Sequence, residues 1–343
     1  MNFLISSTPA MVISGLISLA ILVIAADLAV QKLTGLAGYF RLSTTFVGVT
    51  IVSLATSIPE IASHFTASIG ILGGLLDYEV SSAIVLGANI GSDVVQQTFI
   101  LAIVIFLVGK LVFKRYFLWK SMVPMISSHL LCLILGFDGI YSRLDGLILF
   151  GAFIIYMGFL YSDERKFYRE EDHGFTSDGE APDHIPQSRS EALRDALLSV
   201  GAMAITVFAS IVVLQITEEV VDQTGLGGSL IGVITLGLVS AMPELTTAVS
   251  GVRNGDHGIP LGTLIGSNVT NPLVGIGLGA MLSTYWVPRP LIQWDLPWEA
   301  VTGAILWALL WFRNGEAGKK TAIYLTVMYM VYITMRMLFF GID

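Results

Sequence analysis

The sequence predicts an all-α integral membrane protein, with ten membrane-spanning helices arranged as two five-helix halves of inverted topology. Three observations predict this fold class. The composition is 54% hydrophobic and only 13% charged, whereas soluble domains carry roughly 25% charged residues. Long apolar segments follow one another along the chain, and a proline–glutamate motif occurs in each half. The formal net charge of −8 argues against a nucleic-acid partner, because a phosphate-binding protein needs a basic face.

The predicted helices are the segments long and apolar enough to cross a bilayer, which takes about 20 mostly apolar residues. They cover residues 10–30, 43–72, 80–108, 121–136, 143–161, 194–216, 229–252, 260–285, 298–312 and 321–339. We expect the first helix to be retained, because no Lys or Arg precedes it as in a secretory signal peptide. The single cysteine, Cys132, excludes an intrachain disulfide.

The positions of the basic residues predict the orientation in the membrane, because cytoplasmic loops carry an excess of Lys and Arg. All but three of the 18 Lys and Arg residues lie in loops that follow odd-numbered helices. The three on the opposite side are Arg143, Arg289 and Arg336. We therefore predict a multi-pass protein of the cell membrane, with both termini outside and the loop between helices 5 and 6 in the cytoplasm.

The only long polar segment, residues 162–193, separates the two halves. It is acidic and contains Gly, Pro and Ser, a composition typical of a disordered linker. We therefore predict a first five-helix repeat over 1–161, a cytoplasmic linker over 162–193 and a second repeat over 194–343. Because five is an odd number of crossings, the second half enters the membrane from the opposite side, as in the inverted repeats of many secondary transporters.

The two halves share a sequence motif on their second and third helices. "GVTIVSLATSIPEIASHFTA" at 48–67 aligns with "GVITLGLVSAMPELTTAVSG" at 232–251, which matches Pro59 with Pro243 and Glu60 with Glu244. The helix that follows contains "GANIGSD" from Gly87 in one half and "GSNVTNP" from Gly266 in the other. Helices 2, 3, 7 and 8 are therefore predicted to form a central site, since such folds bind substrate near the midplane where the repeats meet.

Glu60 and Glu244 predict a cation as the substrate. A carboxylate at the centre of a bilayer is costly and persists only when it faces a cavity or a partner. The sequence places no Lys or Arg at comparable depth, so the neutralising charge has to come from outside the chain. Pro59 and Pro243 each lack an N–H group, which frees the carbonyl four residues earlier. Freed carbonyls at membrane depth are tolerated around a cavity or an ion.

The other polar groups near these prolines are hard oxygen ligands. Hydroxyls of Ser53, Thr56, Ser57 and Ser240 lie in the same turns. Carboxylate, carbonyl and hydroxyl oxygens suit Ca²⁺, which takes six to eight of them, and they also suit Na⁺. Ser92 and Asp93 on helix 3 add a hydroxyl and a third acid at the same depth. Ionised, Asp93 would raise the charge of the site to −3.

These motifs resemble the α-repeats of the Ca²⁺/cation antiporter superfamily, and specifically its prokaryotic Na⁺/Ca²⁺ exchangers. The resemblance rests on "ATSIPEI", "SAMPEL" and "GSNVTN" and extends over the whole chain. It implies that Ca²⁺ binds between Glu60 and Glu244. It further implies ligands from the remaining matched positions, which are Thr56, Ser240, the carbonyls of Ser53, Thr56, Gly237 and Ser240, and, at flanking Na⁺ positions, Ser57, Ser267 and Asn271.

The chain departs from the superfamily pattern at positions that concern Na⁺. The second Thr-Ser pair of the pattern is Ser240-Ala241, the helix 3 serine is Ala88, and the helix 3 asparagine is Ser92. A Ca²⁺/H⁺ or other cation/proton antiporter therefore remains an alternative to Ca²⁺/Na⁺ exchange. His64, four residues after Glu60, is either a proton shuttle or a histidine bonded to a neighbouring helix, and the second reading is favoured.

Two other classes of protein were weighed against a transporter. Paired carboxylates can perform acid–base chemistry, but the Gly-x-Gly-Asp context of a membrane aspartyl protease is absent from "GANIGSD". A passive channel would not need two broken helices in inverted halves. The sequence thus predicts alternating-access exchange of Ca²⁺ for Na⁺ or H⁺ without enzyme activity or a cofactor. It leaves the oligomeric state open.

Overall fold

The computed structural model describes residues 8–39, 53–113, 115–167, 185–253 and 258–343. The start of predicted helix 2 and most of the predicted linker lie outside the described residues. The first half contains the helices α1 (Thr8–Tyr39), α2 (Ser53–Thr56), α3 (Ile58–Leu72), α4 (Tyr78–Val108), α5 (Arg115–Asp138) and α6 (Arg143–Phe167). The second half contains α7 (Arg189–Thr224), α8 (228–240), α9 (Met242–Arg253), α10 (258–283), α11 (291–312) and α12 (Lys319–Phe339).

Several helices are longer than the sequence predicted, and two of them extend into the predicted linker. α6 continues to Phe167 and α7 begins at Arg189. Ser188 caps α7, since its hydroxyl accepts a hydrogen bond from the N–H group of Glu191. The Glu191 carboxylate in turn accepts one from the N–H group of Gln187, at 2.8 Å. Such a reciprocal cap starts a helix in polar sequence that carries no apolar signal.

The chain is a mostly helical membrane protein. Within the described residues, six helices are long and apolar enough to cross a bilayer. Their burial distinguishes central helices from peripheral ones. In the most apolar 18-residue stretch of each helix, 78% is buried in α4 but only 22% in α12. Large apolar side chains on outer helices are exposed, including Ile155 on α6 and Phe208 on α7. That is the arrangement expected where lipid replaces water as the solvent.

α4 and α8 cross at the centre of the molecule with their backbones in contact. A Cβ atom added at Gly232 would lie 2.2 Å from the carbonyl oxygen of Ile84. One added at Gly87 would lie 2.2 Å from the carbonyl oxygen of Ser229. Small residues at such crossings let membrane helices approach closely. The glycines therefore bring the motif-bearing helix α4 of the first half against the motif-bearing helix α8 of the second.

Two short antiparallel ladders join loops that are far apart in sequence. β1 (Lys110–Val112) pairs with β4 (Glu316–Gly318), and β2 (Ile140–Tyr141) pairs with β3 (Tyr285–Trp286). Each ladder places its two loops at the same end of the helices. α1 and α7 also pack side by side, and Lys32 forms an ion pair with Asp195 at 3.2 Å.

Many of the basic residues assigned to one side of the membrane from the sequence lie within helices, and two of them are buried. Arg336, which was counted on the outer side although it stands within the last predicted helix, is fully buried in α12 and pairs with Asp295 of α11 at 2.9 Å. Lys120, expected in the loop before predicted helix 4, lies in α5, where its ammonium group contacts the Tyr116 hydroxyl at 3.1 Å. α5 begins six residues earlier than predicted. The ammonium group of Lys120 also lies near the rings of Tyr116 and Phe159, so a long basic side chain is accommodated within the helix.

Candidate ion-binding site

The helices that carry the two glutamates are interrupted at equivalent positions. α2 ends before Ser57, whose φ and ψ are −78° and 4°, and α8 ends before Ala241, whose values are −77° and −1°. Each residue stands two positions before the proline of its repeat. Proline lacks the N–H group that would bond to the carbonyl four residues earlier, so the preceding helix is interrupted, but proline is well accommodated in the first turn of a new helix. The repeated sequence thus produces the same break twice, and a glutamate lies in the first turn of the helix after each break.

Glu60 is buried and faces the helix of the neighbouring motif. Its Oε1 atom accepts a hydrogen bond from the Ser92 hydroxyl at 2.7 Å, while Oε2 has no hydrogen-bond partner. Ser92 itself accepts a hydrogen bond from the side-chain amide of Gln96 at 3.0 Å. The hydroxyl of Ser240, from the opposite repeat, also lies beside the Glu60 carboxyl group. One oxygen of Glu60 is therefore held in place and the other is left available.

Glu244 is fully buried, and neither of its carboxyl oxygens makes a hydrogen bond of standard geometry. Thr56 and Ser267 lie next to the Glu244 carboxyl group, and their hydroxyls are 3.2 Å apart. The two glutamates are also close enough to repel each other when both are ionised. Among the ion pairs of the described residues, none involves Glu60 or Glu244.

Hydroxyl groups and helix-end carbonyls surround the two breaks. Ser53 and Thr270 contact each other through their hydroxyls at 3.0 Å. The Thr56 hydroxyl donates to the carbonyl of Ser53 at 3.2 Å, and that of Ser240 donates to the carbonyl of Gly237 at 3.4 Å. Ser57 is buried, and its hydroxyl has no hydrogen-bond partner. The region is therefore dense in oxygen atoms from both repeats.

Asp93 and Asn271 lie next to this region and bond to each other. The Asn271 amide donates to Oδ1 of Asp93 at 2.6 Å, and the amide oxygen of Asn271 has no partner. The carbonyl of Asn271 accepts a hydrogen bond from Asn89 at 2.9 Å. Asp93 is close enough to Glu60 for the charges of the two groups to interact. α4 and α10 thus meet through polar side chains beside the glutamates.

His64 of α3 is held between α4 and the strand β3. Its Nδ1 atom lies 3.2 Å from the hydroxyl of Tyr285, and its Nε2 atom lies 3.1 Å from the side-chain amide of Asn89. Both ring nitrogens therefore have neighbours, and the imidazole does not contact Glu60 through a hydrogen bond. The contact with Asn89 of α4 is that of a histidine bonded to a neighbouring helix, the reading that the sequence favoured, and the second contact is with β3.

Two buried groups near the site were missed from the sequence. Glu299 of α11 and His129 of α5 are fully buried, and the Nε2 atom of His129 lies 3.1 Å from Oε1 of Glu299. Each of these residues stands inside a predicted apolar helix. A carboxylate or an imidazole within a membrane span was therefore the sequence signal that could have identified them. The side-chain amide of Gln97 links α4 to α11 by donating a hydrogen bond to the carbonyl of Glu299 at 3.1 Å.

The structure places all the predicted site residues around the two breaks or immediately beside them. The group that clusters by direct contact comprises Glu60, Ser92 and Ser240 on one side and Glu244, Thr56 and Ser267 on the other. Ser53, Ser57 and Gly237 lie on the interrupted turns. Asp93 and Asn271 form the adjoining pair. Chemically, the arrangement offers carboxylate and hydroxyl oxygens from both repeats to a hard cation.

The comparisons with known proteins all indicate relatedness to membrane exchangers and membrane proteins of similar length. The sequence profile of a family described as sodium/calcium exchanger protein matches residues 11–162 and 196–338. The inner membrane protein YrbG of Escherichia coli strain K12 is 24% identical over 325 residues, which span 93% of this chain and 94% of that protein. These matches cover nearly the whole membrane-embedded part of the chain.

Two solved structures share the fold. The sodium-calcium exchanger NCX_Mj matches with a TM-score of 0.62 and 17% identity, covering 96% of this chain and 99% of the other. The H⁺/Ca²⁺ exchanger CAX matches with a TM-score of 0.74 and 15% identity, covering 96% of this chain and 82% of the other. At these identities the likeness concerns the fold alone. The two neighbours differ, by name, in the ion that is exchanged for Ca²⁺.

Proposed function

The chain belongs to the sodium/calcium exchanger protein family, in the Ca²⁺/cation antiporter superfamily, and we propose that it exchanges Ca²⁺ for Na⁺ across the membrane by alternating access. The observation that carries this proposal is the pair Glu60 and Glu244. Both carboxyl groups are buried between repeats, three of their four oxygens accept no hydrogen bond, and no described Lys or Arg pairs with them. A bound cation supplies the missing charge.

The charge of the site accounts for exchange rather than leak. Two buried carboxylates without a counter-ion are costly to carry through a closed, low-dielectric state. One Ca²⁺ neutralises them, and so do two Na⁺ ions. The loaded forms therefore switch between inward-open and outward-open states, while the empty form does not. Ca²⁺ moving in one direction then requires Na⁺ moving in the other.

The proposed ligands come from both repeats. Glu60 and Glu244 hold Ca²⁺ together with Thr56, Ser240 and the carbonyl groups at Ser53 and Gly237. Ser57, Ser267 and Asn271 serve the flanking Na⁺ positions, and Ser92 orients Glu60 through its 2.7 Å hydrogen bond. Asp93 adds negative charge beside the centre, which favours either a third Na⁺ or a monovalent ion that accompanies Ca²⁺.

The proposed architecture is ten membrane-spanning helices in two inverted repeats, with helices 2, 3, 7 and 8 at the ion site. The equal backbone angles at the two breaks support a structural repeat. The two stretches matched by the family profile support halves at 1–161 and 194–343, joined by a cytoplasmic linker over 162–193. The two ladders also pair loops that alternating crossings place on the same side, those after helices 3 and 9 and after helices 4 and 8.

The same alternation gives the orientation that we propose. With the N-terminus outside, the β1–β4 ladder lies at the cytoplasmic end and the β2–β3 ladder at the outer end. Lys32 of α1 and Asp195 of α7, which pair at 3.2 Å, then also lie at the cytoplasmic end. The protein accordingly resides in the cell membrane, with its C-terminus outside.

Proton coupling is the second candidate, and a specific observation favours it. Ala241 stands where the other repeat has Ser57, so one of the two interrupted turns lacks a hydroxyl at the flanking position. Na⁺ needs several oxygen ligands, whereas a proton needs only one carboxylate oxygen. Protonation of both glutamates neutralises the site as two Na⁺ ions do.

Counter-ion dependence of Ca²⁺ uptake distinguishes the two candidates. The purified full chain is reconstituted into vesicles loaded with Na⁺, into vesicles loaded with choline at equal pH, and into choline vesicles with a pH gradient. We expect ⁴⁵Ca²⁺ uptake at least tenfold above background only in the Na⁺-loaded vesicles. A protonophore should leave that uptake unchanged.

The contrary result is equally definite. If a pH gradient alone drives uptake in the absence of Na⁺, and a protonophore removes it, the chain is a Ca²⁺/H⁺ antiporter. If no gradient moves ⁴⁵Ca²⁺, the proposed substrate is wrong although the fold stands.

A further inference from the structure

A second group of metal-ligating side chains lies beside the central glutamates. Asp93 of α4, His129 of α5 and Glu299 of α11 each offer one ligand atom, and these atoms all lie within 4.8 Å of one another. All three residues are at most 1% exposed. Three helices that are far apart in sequence therefore converge on one point inside the membrane-spanning region.

The charge of this cluster is not balanced by the protein. Neither carboxyl oxygen of Glu299 accepts a hydrogen bond of standard geometry, although Oε1 lies 3.1 Å from Nε2 of His129, which also lies 3.1 Å from the carbonyl oxygen of Asn268. The ion pairs of the described residues include no Lys or Arg with Asp93 or Glu299, and Arg336 is engaged by Asp295. A fully buried carboxylate without a partner is costly unless a proton or a cation joins it.

Further buried polar atoms near the cluster are also without partners. The Nδ1 atom of His129, the amide oxygen of Gln97 and the hydroxyl of Thr302 make no hydrogen bond. Gln97 contacts the backbone of Glu299, and Thr302 follows Glu299 by three residues and so lies on the same face of α11. Buried polar atoms are nearly always paired, so several unpaired ones around a carboxylate leave donor and acceptor groups available to a ligand.

We propose that Asp93, His129 and Glu299 form a second cation site that binds a divalent transition-metal ion of the Mn²⁺ and Zn²⁺ class. The donor set is one imidazole nitrogen and two carboxylates, whose combined charge of −2 matches a divalent ion. Imidazole suits transition metals, while Ca²⁺ and Na⁺ prefer oxygen donors alone. The site differs in this respect from the oxygen-lined region around Glu60 and Glu244.

The second site adjoins the ion pathway and shares Asp93 with its surroundings. Asp93 accepts a hydrogen bond from Asn271 at 2.6 Å, and Asn271 is one of the proposed Na⁺-site residues. A metal ion on Asp93 withdraws negative charge from the centre and fixes Asn271 in place. Binding at the second site is nevertheless a property of these three side chains, whichever ion drives Ca²⁺ exchange.

Mn²⁺ binding to the purified full chain in detergent tests the proposal, with free Mn²⁺ followed by its electron paramagnetic resonance signal. The titration is run with Ca²⁺ in large excess, so that Ca²⁺ fills the central site. We expect about one Mn²⁺ ion per chain to remain bound and to be displaced by Zn²⁺. Pulsed measurements should show a ¹⁴N coupling from the His129 imidazole.

Variants locate the bound ion. Glu299→Gln and His129→Gln should each weaken Mn²⁺ binding at least tenfold, and His129→Gln should remove the ¹⁴N coupling. Glu60→Gln should keep the Ca²⁺-resistant Mn²⁺ ion, and so should Glu79→Gln, which alters an exposed glutamate. Size-exclusion chromatography and thermal unfolding establish that each variant is folded.

Either of two results overturns the proposal. One is a wild-type chain that binds no Mn²⁺ in excess Ca²⁺, in which case protons neutralise the cluster. The other is a folded Glu299→Gln or His129→Gln variant that binds Mn²⁺ as the wild type does. Loss of Ca²⁺ binding in Glu60→Gln alone concerns the central site, so the two accounts fail separately.

Discussion

Replacement of either Glu60 or Glu244 by glutamine is expected to abolish Ca²⁺ exchange and to weaken Ca²⁺ binding strongly. Each substitution keeps the size of the side chain and removes one of the two charges that face each other between the repeats. Each carboxylate forms a buried charge pair with the bound Ca²⁺, and losing one partner of such a pair costs about 2–5 kcal/mol, which corresponds to roughly 30-fold to several thousand-fold in affinity. Binding of ⁴⁵Ca²⁺ to the detergent-purified variants measures the loss.

The matched control for this prediction is Glu79→Gln, because Glu79 lies in the first turn of α4 and is exposed. It should bind Ca²⁺ like the wild type. A Glu244→Gln variant that retains wild-type affinity would remove the second repeat from the site, and the proposed inverted arrangement of ligands would have to be abandoned.

Gly232→Val should destabilise the protein more than any exposed substitution. The new Cβ atom would lie 2.2 Å from the carbonyl oxygen of Ile84, which belongs to the backbone of α4 and cannot rotate away. α4 and α8 would have to separate at the crossing that holds the two repeats together. Overpacking of this kind costs about 1–3 kcal/mol and occasionally more. We expect a value at or above the upper end, measured as a loss of thermal stability in detergent.

Gly158→Val provides the comparison, because a Cβ atom at Gly158 on the exposed face of α6 has no neighbour within 4 Å. That variant should unfold at the wild-type temperature and remain monodisperse. If Gly232→Val were equally stable, the close approach of α4 and α8 would not be part of the folded protein.

The sequence predicted the features that come from local chemistry. Pro59 and Pro243 indicated the two helix breaks, and the repeated motif indicated that the two breaks would have the same geometry. Glu60 and Glu244 stood out because acids are rare in membrane spans. The apolar stretches identified the helices, but helix ends in polar sequence, such as the Ser188 cap of α7, carry no apolar signal and were placed too far inward.

The features that were missed depend on contacts between distant parts of the chain. Nothing near His129 in sequence indicates Glu299, which is 170 residues away and reaches it only when α5 packs against α11. Arg336 was counted with the charges of the outer side because its partner, Asp295, lies in another helix. From sequence alone, a buried charged residue cannot be distinguished from a charged residue outside the membrane until the residue that neutralises it is known.

The measurement that tests the central account most directly is Ca²⁺ self-exchange in reconstituted vesicles. Tracer ⁴⁵Ca²⁺ is added outside, without Na⁺ and at equal pH, to vesicles that hold unlabelled Ca²⁺ or none, with the membrane potential clamped. If only loaded carriers cross, tracer enters the Ca²⁺-filled vesicles at least tenfold faster than the empty ones. Equal entry into both would contradict obligatory exchange and indicate a channel, and no entry into either would contradict Ca²⁺ as the substrate.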